Sequence, residues 1–185
     1  MLVADKNRDV RTCVVLAIVC AVAQLALAPN VGLGNGRANF ALVFSSCVAL
    51  LMGGRRGVVA GFVAGLFFDL STTGPVGLMA FCLTVSSYVL GLEGRDRMSG
   101  DLGASVALFS ASALAVSLVY HLAMLLVGQA DSVVDVLFLR TLPTAVLSVV
   151  FFLPFAYYFS RVRSSGSGLG SSRAARGGHF SKKGL

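Results

Sequence analysis

Asp69 is the residue whose type and placement demand a chemical explanation first. It closes the spacing G-x-x-x-G-x-x-x-G-x-x-x-D made by Gly57, Gly61, Gly65 and Asp69. Residues four apart share a helix face. Ala60 and Ala64 widen that face, so a neighbouring helix can approach to backbone contact. Counted from Arg56, the helix rises about 20 Å to Asp69 and so stops within a bilayer core of about 30 Å. A carboxylate there costs about 2.5 to 3.5 kcal/mol unless it is partnered. It also lies near the C-terminus of its own helix, where the dipole disfavours negative charge. Two partners are candidates: Arg140, which can pair bidentately, and His121, which can supply a hydrogen bond. Arg140 is the preferred one. The alternatives are that Arg140 snorkels to headgroups and that His121 only packs.

Other chemistry finds little support. There is no H-E-x-x-H for zinc, no second intramembrane Asp to form a dyad, and no nucleophile elbow to set a Ser beside His121. An enzyme is therefore not expected. Cys13, Cys20, Cys47 and Cys82 lie in apolar runs without C-x-x-C spacing or a nearby His. They read as small buried hydrophobes, with no disulfide, metal or cofactor inferred. The G-x-G-x-G stretches at 32–36 and 166–170 follow no strand and open no helix, so they read as turn and linker.

The elements that must position Asp69 follow from composition. Of the 185 residues, 56% are hydrophobic and 12% charged, outside the usage of a soluble domain. The apolar residues fall in runs closed by Gly, Pro or charge, and about 20 such residues cross a bilayer as a helix. The runs predict an all-α integral membrane protein with six transmembrane helices, at 12–28, 38–52, 58–73, 76–92, 102–128 and 136–159. The second and third are short, and so are expected to tilt less or to sit within protein. Barrel strands are excluded because the runs lack period-two alternation.

Charge sets the orientation. Thirteen of the fifteen Lys and Arg residues fall at the N-terminus, in the second and fourth loops and in the tail, leaving Arg37 and Arg140 opposite. The positive-inside rule then places both ends in the cytoplasm of a plasma membrane. Topology alone accounts for the net charge of +7, so no nucleic acid is implied. The first run resembles a signal peptide ending at Ala26-Leu27-Ala28, but Pro29 fits poorly at a cleavage site, and an uncleaved helix is expected. The division is a cytoplasmic N-terminus at 1–11, a membrane domain at 12–159 and a basic tail at 160–185. The tail has a Ser/Gly core and no acidic residue, which predicts disorder and an affinity for anionic headgroups or an acidic partner, or a simple stop-transfer cluster with a linker.

After Asp69 the chain reads Ser71-Thr72-Thr73-Gly74-Pro75-Val76-Gly77. Gly-Pro forces a turn, which makes the third and fourth helices a tight hairpin and leaves the hydroxyls free for helix-end carbonyls. The stretch GFVAGLFFDLSTTGPVGLMAFCLTVSSYVLG resembles the signature of the MreD family of bacterial rod shape-determining membrane proteins. By that resemblance Gly61, Gly65, Asp69, Gly74, Pro75 and Gly77 occupy the motif positions.

The resemblance implies a non-catalytic subunit of the cell-elongation machinery, bound to the bitopic protein MreC. Through MreC it would meet a RodA-type glycosyltransferase and a class B penicillin-binding protein, assembling and regulating peptidoglycan synthesis. The family is also similar in fold to the six-helix substrate-binding components of energy-coupling-factor vitamin transporters, which makes those the rival reading. A vitamin site needs several polar or aromatic side chains, and the Gly- and Asn-rich loop from Pro29 to Arg37 in a chain without Trp offers few.

Overall fold

The computed structural model describes the backbone over residues 2–97, 102–128 and 132–174, and side chains over 10–92, 102–128 and 132–161. Among these residues are six α-helices: α1 (Leu2–Ala26), α2 (Phe40–Met52), α3 (Gly54–Ser71), α4 (Leu78–Arg97), α5 (Leu102–Leu126) and α6 (Leu142–Ala174). A two-stranded ribbon of β1 (Gly32–Leu33) and β2 (Gly36–Arg37) precedes α2, and a π-helical turn, Asp135–Thr141, leads into α6.

The molecule is apolar on its outside. Val14, Ile18 and Val22 of α1, Phe81 and Tyr88 of α4, and Val146, Val150 and Leu153 of α6 are all exposed. Much of the polar matter lies inside, including Ser45, Ser87, Ser105, Ser117 and Ser148. Water would penalise such a surface, whereas lipid does not, and small hydroxyl residues let helices approach closely. Leu102–Leu126 and Asp135–Arg161 are each long and apolar enough to cross a bilayer. The apolar stretches Val10–Ala26, Phe40–Met52 and Leu78–Leu92 are shorter.

Helix α2 is the centre of the bundle. It is buried on every face from Phe40 to Leu50, as expected of a helix that is apolar all round. Its 13 residues span about 20 Å, so its surroundings are protein for most of that length. Asn39 starts it, with Oδ1 accepting from the Leu42 N–H at 3.0 Å. Gly53, at φ 59°, ends it and turns the chain directly into α3. Helix α1 packs on α2, and Gln24 Oε1 accepts the otherwise unpaired Phe40 N–H at 2.9 Å. On the other side, α5 meets α6 through the stacked rings of Phe109 and Phe152, 3.9 Å between centroids.

The first Gly-rich stretch is the turn of the β-ribbon. Gly34, at φ 61°, supplies the left-handed conformation of a two-residue turn, and Gly32 pairs with Arg37. The ribbon lies on the start of α6: the Asn35 N–H donates to the Leu139 carbonyl at 3.2 Å, and a Cβ at Gly36 would fall 2.7 Å from Pro143.

Helix α1 begins at Leu2, and α6 runs on through Ser160 to Ala174. Helix growth from an existing turn avoids the nucleation penalty, so a long membrane helix can extend into a poor helix-forming sequence. Residues 175–185 lie outside the described residues.

Candidate functional site

Asp69 stands in the last turn of α3, only 1% exposed. Helix α3 stops just beyond it because side-chain hydroxyls take over the orphan carbonyls. Ser71 Oγ donates to the Phe67 and Phe68 carbonyls at 2.8 and 3.0 Å, and Thr72 Oγ1 donates to Phe68 at 3.1 Å. The chain then reverses through Gly74 and Pro75. Gly77, at φ 99°, sets the direction of α4 with a backbone conformation that L side chains rarely adopt.

The reversal aims the start of α4 at the Asp69 carboxylate. Oδ2 accepts the N–H groups of Gly77 at 2.9 Å and Ala80 at 3.1 Å, while Oδ1 accepts that of Met79 at 3.1 Å. The first turn of a helix leaves N–H groups without intrahelical acceptors and carries partial positive charge. Asp69 is thus a helix cap donated by the preceding helix. The unfavourable dipole at the end of α3 is offset by the favourable one at the start of α4.

The glycine row holds this arrangement in register. A Cβ at Gly61 would lie 2.6 Å from the Leu83 carbonyl oxygen and would collide with the Ser87 side chain. One at Gly65 would lie 2.6 Å from the Ala80 nitrogen and 2.7 Å from the Met79 oxygen. Both glycines therefore bring the backbone of α3 against that of α4. Gly57 faces α2 instead, with an added Cβ 2.8 Å from Ala49 Cα. Gly74 packs under Tyr120 of α5, whose hydroxyl oxygen would be 2.6 Å from a Cβ there.

The partners of Asp69 differ from the two expected from sequence. Arg140, in the π-helical turn, has Nε 3.9 Å from Asp135 Oδ2. His121 Nδ1 lies 2.8 Å from the Ser117 carbonyl and 3.3 Å from Thr141 Oγ1. The physical reason is proximity. Three N–H groups eight to eleven residues along the chain converge on the carboxylate without burying a second charge. The hint in the sequence was an Asp followed by a Gly-Pro turn and a new helix, which is the order of a cap across a hairpin.

Ala60 and Ala64 do not widen the glycine face. They line an apolar groove of about 640 Å³ between α1 and α3, floored by Phe44 and Val48 of α2. Ala17 and Ala21 face them from α1, and Arg55 and Arg56 stand among the lining residues at the start of α3. A second, more polar cavity lies at the ribbon end of the bundle and gathers Gln24, Arg37, Thr72, Tyr120, His121 and Thr144. Gln24, Tyr120 and Thr144 were not singled out from sequence, because each is unremarkable in its own segment.

The sequence profile of the rod shape-determining protein MreD matches residues 6–162, most of the chain and all of the glycine row, its cap and both cavities. No curated protein and no solved structure matches. The family accounts for an apolar exterior, since its members are membrane proteins that determine cell shape and are not known as enzymes. With its helical hairpin locked by glycines and its match over most of the length, the chain belongs to the MreD family of rod shape-determining proteins.

Proposed function

We propose that the chain is a non-catalytic scaffold of the rod complex in the bacterial cytoplasmic membrane, with six spans and both ends in the cytoplasm. Its task is to hold the bitopic protein MreC and, through it, a RodA-type glycosyltransferase and a class B penicillin-binding protein, so that peptidoglycan synthesis is assembled and regulated. The observation that carries this reading is the groove between α1 and α3.

The groove suits one transmembrane helix. Its lining is almost wholly apolar, and alanines on both walls permit close approach where lipid removes the hydrophobic drive. The lining of α1 from Val10 to Gln24 covers about 21 Å of helix rise, most of a bilayer core. Arg55 and Arg56 mark the cytoplasmic end and favour a partner with an acidic juxtamembrane residue. The basic segment from Arg161 onward adds an attraction for anionic headgroups.

The test is affinity purification of the tagged chain from its native membrane in mild detergent, followed by mass spectrometry. MreC and cell-wall polymerases are the expected companions. One observation, the polar cavity, favours the rival reading as a vitamin-transporter component. Recovery of ATPase subunits with a transmembrane coupling protein would establish that reading instead.

A further inference from the structure

The cavity at the ribbon end is polar where the groove between α1 and α3 is apolar. Its volume of about 400 Å³ lies within the range of small-molecule sites. Residues from α1, the β-ribbon, the segment before α2, the end of α3 and the turn after it, the start of α4, α5 and the start of α6 build it. In a molecule whose exterior is apolar, this is a concentration of hydrogen-bonding groups.

Several of those groups retain capacity. Gln24 uses its carbonyl oxygen on the Phe40 N–H, leaving its amide Nε2 as a donor. His121 holds the Ser117 carbonyl through Nδ1, which assigns the ring proton there and leaves Nε2 available. Among the described residues no carboxylate pairs with the Arg37 guanidinium, and no Asp or Glu lines the cavity. Asp69 is not among the lining residues, and its carboxylate accepts three N–H groups of α4. The faces of Phe68 and Tyr120, set edge to face at 5.8 Å, supply an apolar wall. The adjoining π-helical turn is a device common beside functional sites, and it brings Thr141 against His121.

We propose that this cavity binds a small ligand bearing a phosphate or carboxylate. Arg37 takes the anion, and Gln24, Asn35 and His121 engage the neutral polar groups beside it. A guanidinium is the side chain best shaped for either anion, and the amide donors give orientation. The anion can come from the headgroup of an acidic lipid or from a free solute, since both present the same chemistry. The site shares only Gln24 with the groove between α1 and α3.

Native mass spectrometry of the purified full-length chain tests this. Phosphatidylglycerol, phosphatidylcholine and free glycerol 1-phosphate are offered separately. Wild type is expected to retain one copy of phosphatidylglycerol, or of glycerol phosphate, at least fivefold more than phosphatidylcholine. Retention of the lipid alone names the headgroup as the source, and retention of the free phosphate names a solute. Arg37→Gln, on the exposed ribbon, and Ser71→Phe, which narrows the cavity without removing charge, should each lower that retention fivefold or more. Arg11→Gln, about 20 Å back along α1 by helix rise from Gln24, should leave it unchanged. Anions retained no better than phosphatidylcholine, or lost equally in Arg11→Gln and Arg37→Gln, would overturn the proposal.

Discussion

Helix α3 presents small residues on two faces, and the two have opposite fates. Gly61 and Gly65 are closed against the backbone of α4 so tightly that a single added carbon has no room. Ala60 and Ala64, one residue earlier in each case, border an open groove facing α1. Small residues at four-residue spacing permit close helix approach, yet the spacing does not say whether the approaching helix is internal or foreign. Here glycine marks the contact made within the chain, and alanine, on the proposed function, the contact left for a partner. The difference is geometric: backbone-to-backbone packing tolerates no Cβ, while side-chain docking into a groove tolerates a methyl.

The sharpest way to break this comparison is to overfill the closed face. Gly65→Leu must displace the Ala80 backbone, which cannot yield without moving the start of α4. A destabilisation of about 3 kcal/mol, at the upper end for overpacking, is expected. Gly61→Leu should follow closely, since the Leu83 carbonyl is as near. Loss of the monodisperse peak and a lowered melting temperature by circular dichroism in detergent would register both. Normal melting and normal co-purification with partners after both changes would show that the hairpin is not locked by its glycines.

Asp69 belongs to the same closed face, and its removal should weaken the hairpin less. Asp69→Ala leaves three N–H groups in a site too buried for water, with a loss of about 2 kcal/mol, the upper range for a helix cap. Asp69→Asn keeps one acceptor oxygen but turns an NH₂ group toward donors, so it should recover less than half of that loss. The cap also fixes what a double-mutant cycle will read. Asp69→Asn and Arg140→Gln should add within about 0.5 kcal/mol in thermal stability, because each residue has partners of its own. A coupling well above that value would restore the ion pair that the sequence suggests.

The contrast also marks what the sequence could reveal. Helix limits follow from apolar runs closed by Gly, Pro and charge, so α2 at Phe40–Met52 and α5 at Leu102–Leu126 lie within two residues of the runs 38–52 and 102–128. The crowding around Gly61 and Gly65 was legible because spacing alone puts them on one face. The partner of Asp69 was not, since the cap depends on how sharply Gly74 to Gly77 turns the chain, a three-dimensional register that no spacing encodes. The two cavities were less legible still. Gln24, Arg37, Thr72, Tyr120 and Thr144 come from separate elements, and only the packing of α1, α5 and α6 around the ribbon makes them neighbours.

The open face offers the smallest effect on folding and the most direct test of the difference between the two. Ala60→Phe adds a ring on the groove side of α3, beside open space, so stability should change by no more than about 0.5 kcal/mol. The same ring occupies the space that an incoming helix needs. Recovery of MreC with the tagged chain should therefore fall at least tenfold, while Val146→Phe, an equal enlargement on the exposed surface of α6, should leave it intact. If Ala60→Phe melts as early as Gly65→Leu, the groove is part of the internal packing and the two faces do not differ in kind. If it melts normally and still recovers MreC in full, the groove is open but the partner docks elsewhere. Only normal melting with lost recovery separates a face that holds the fold from a face that holds a partner.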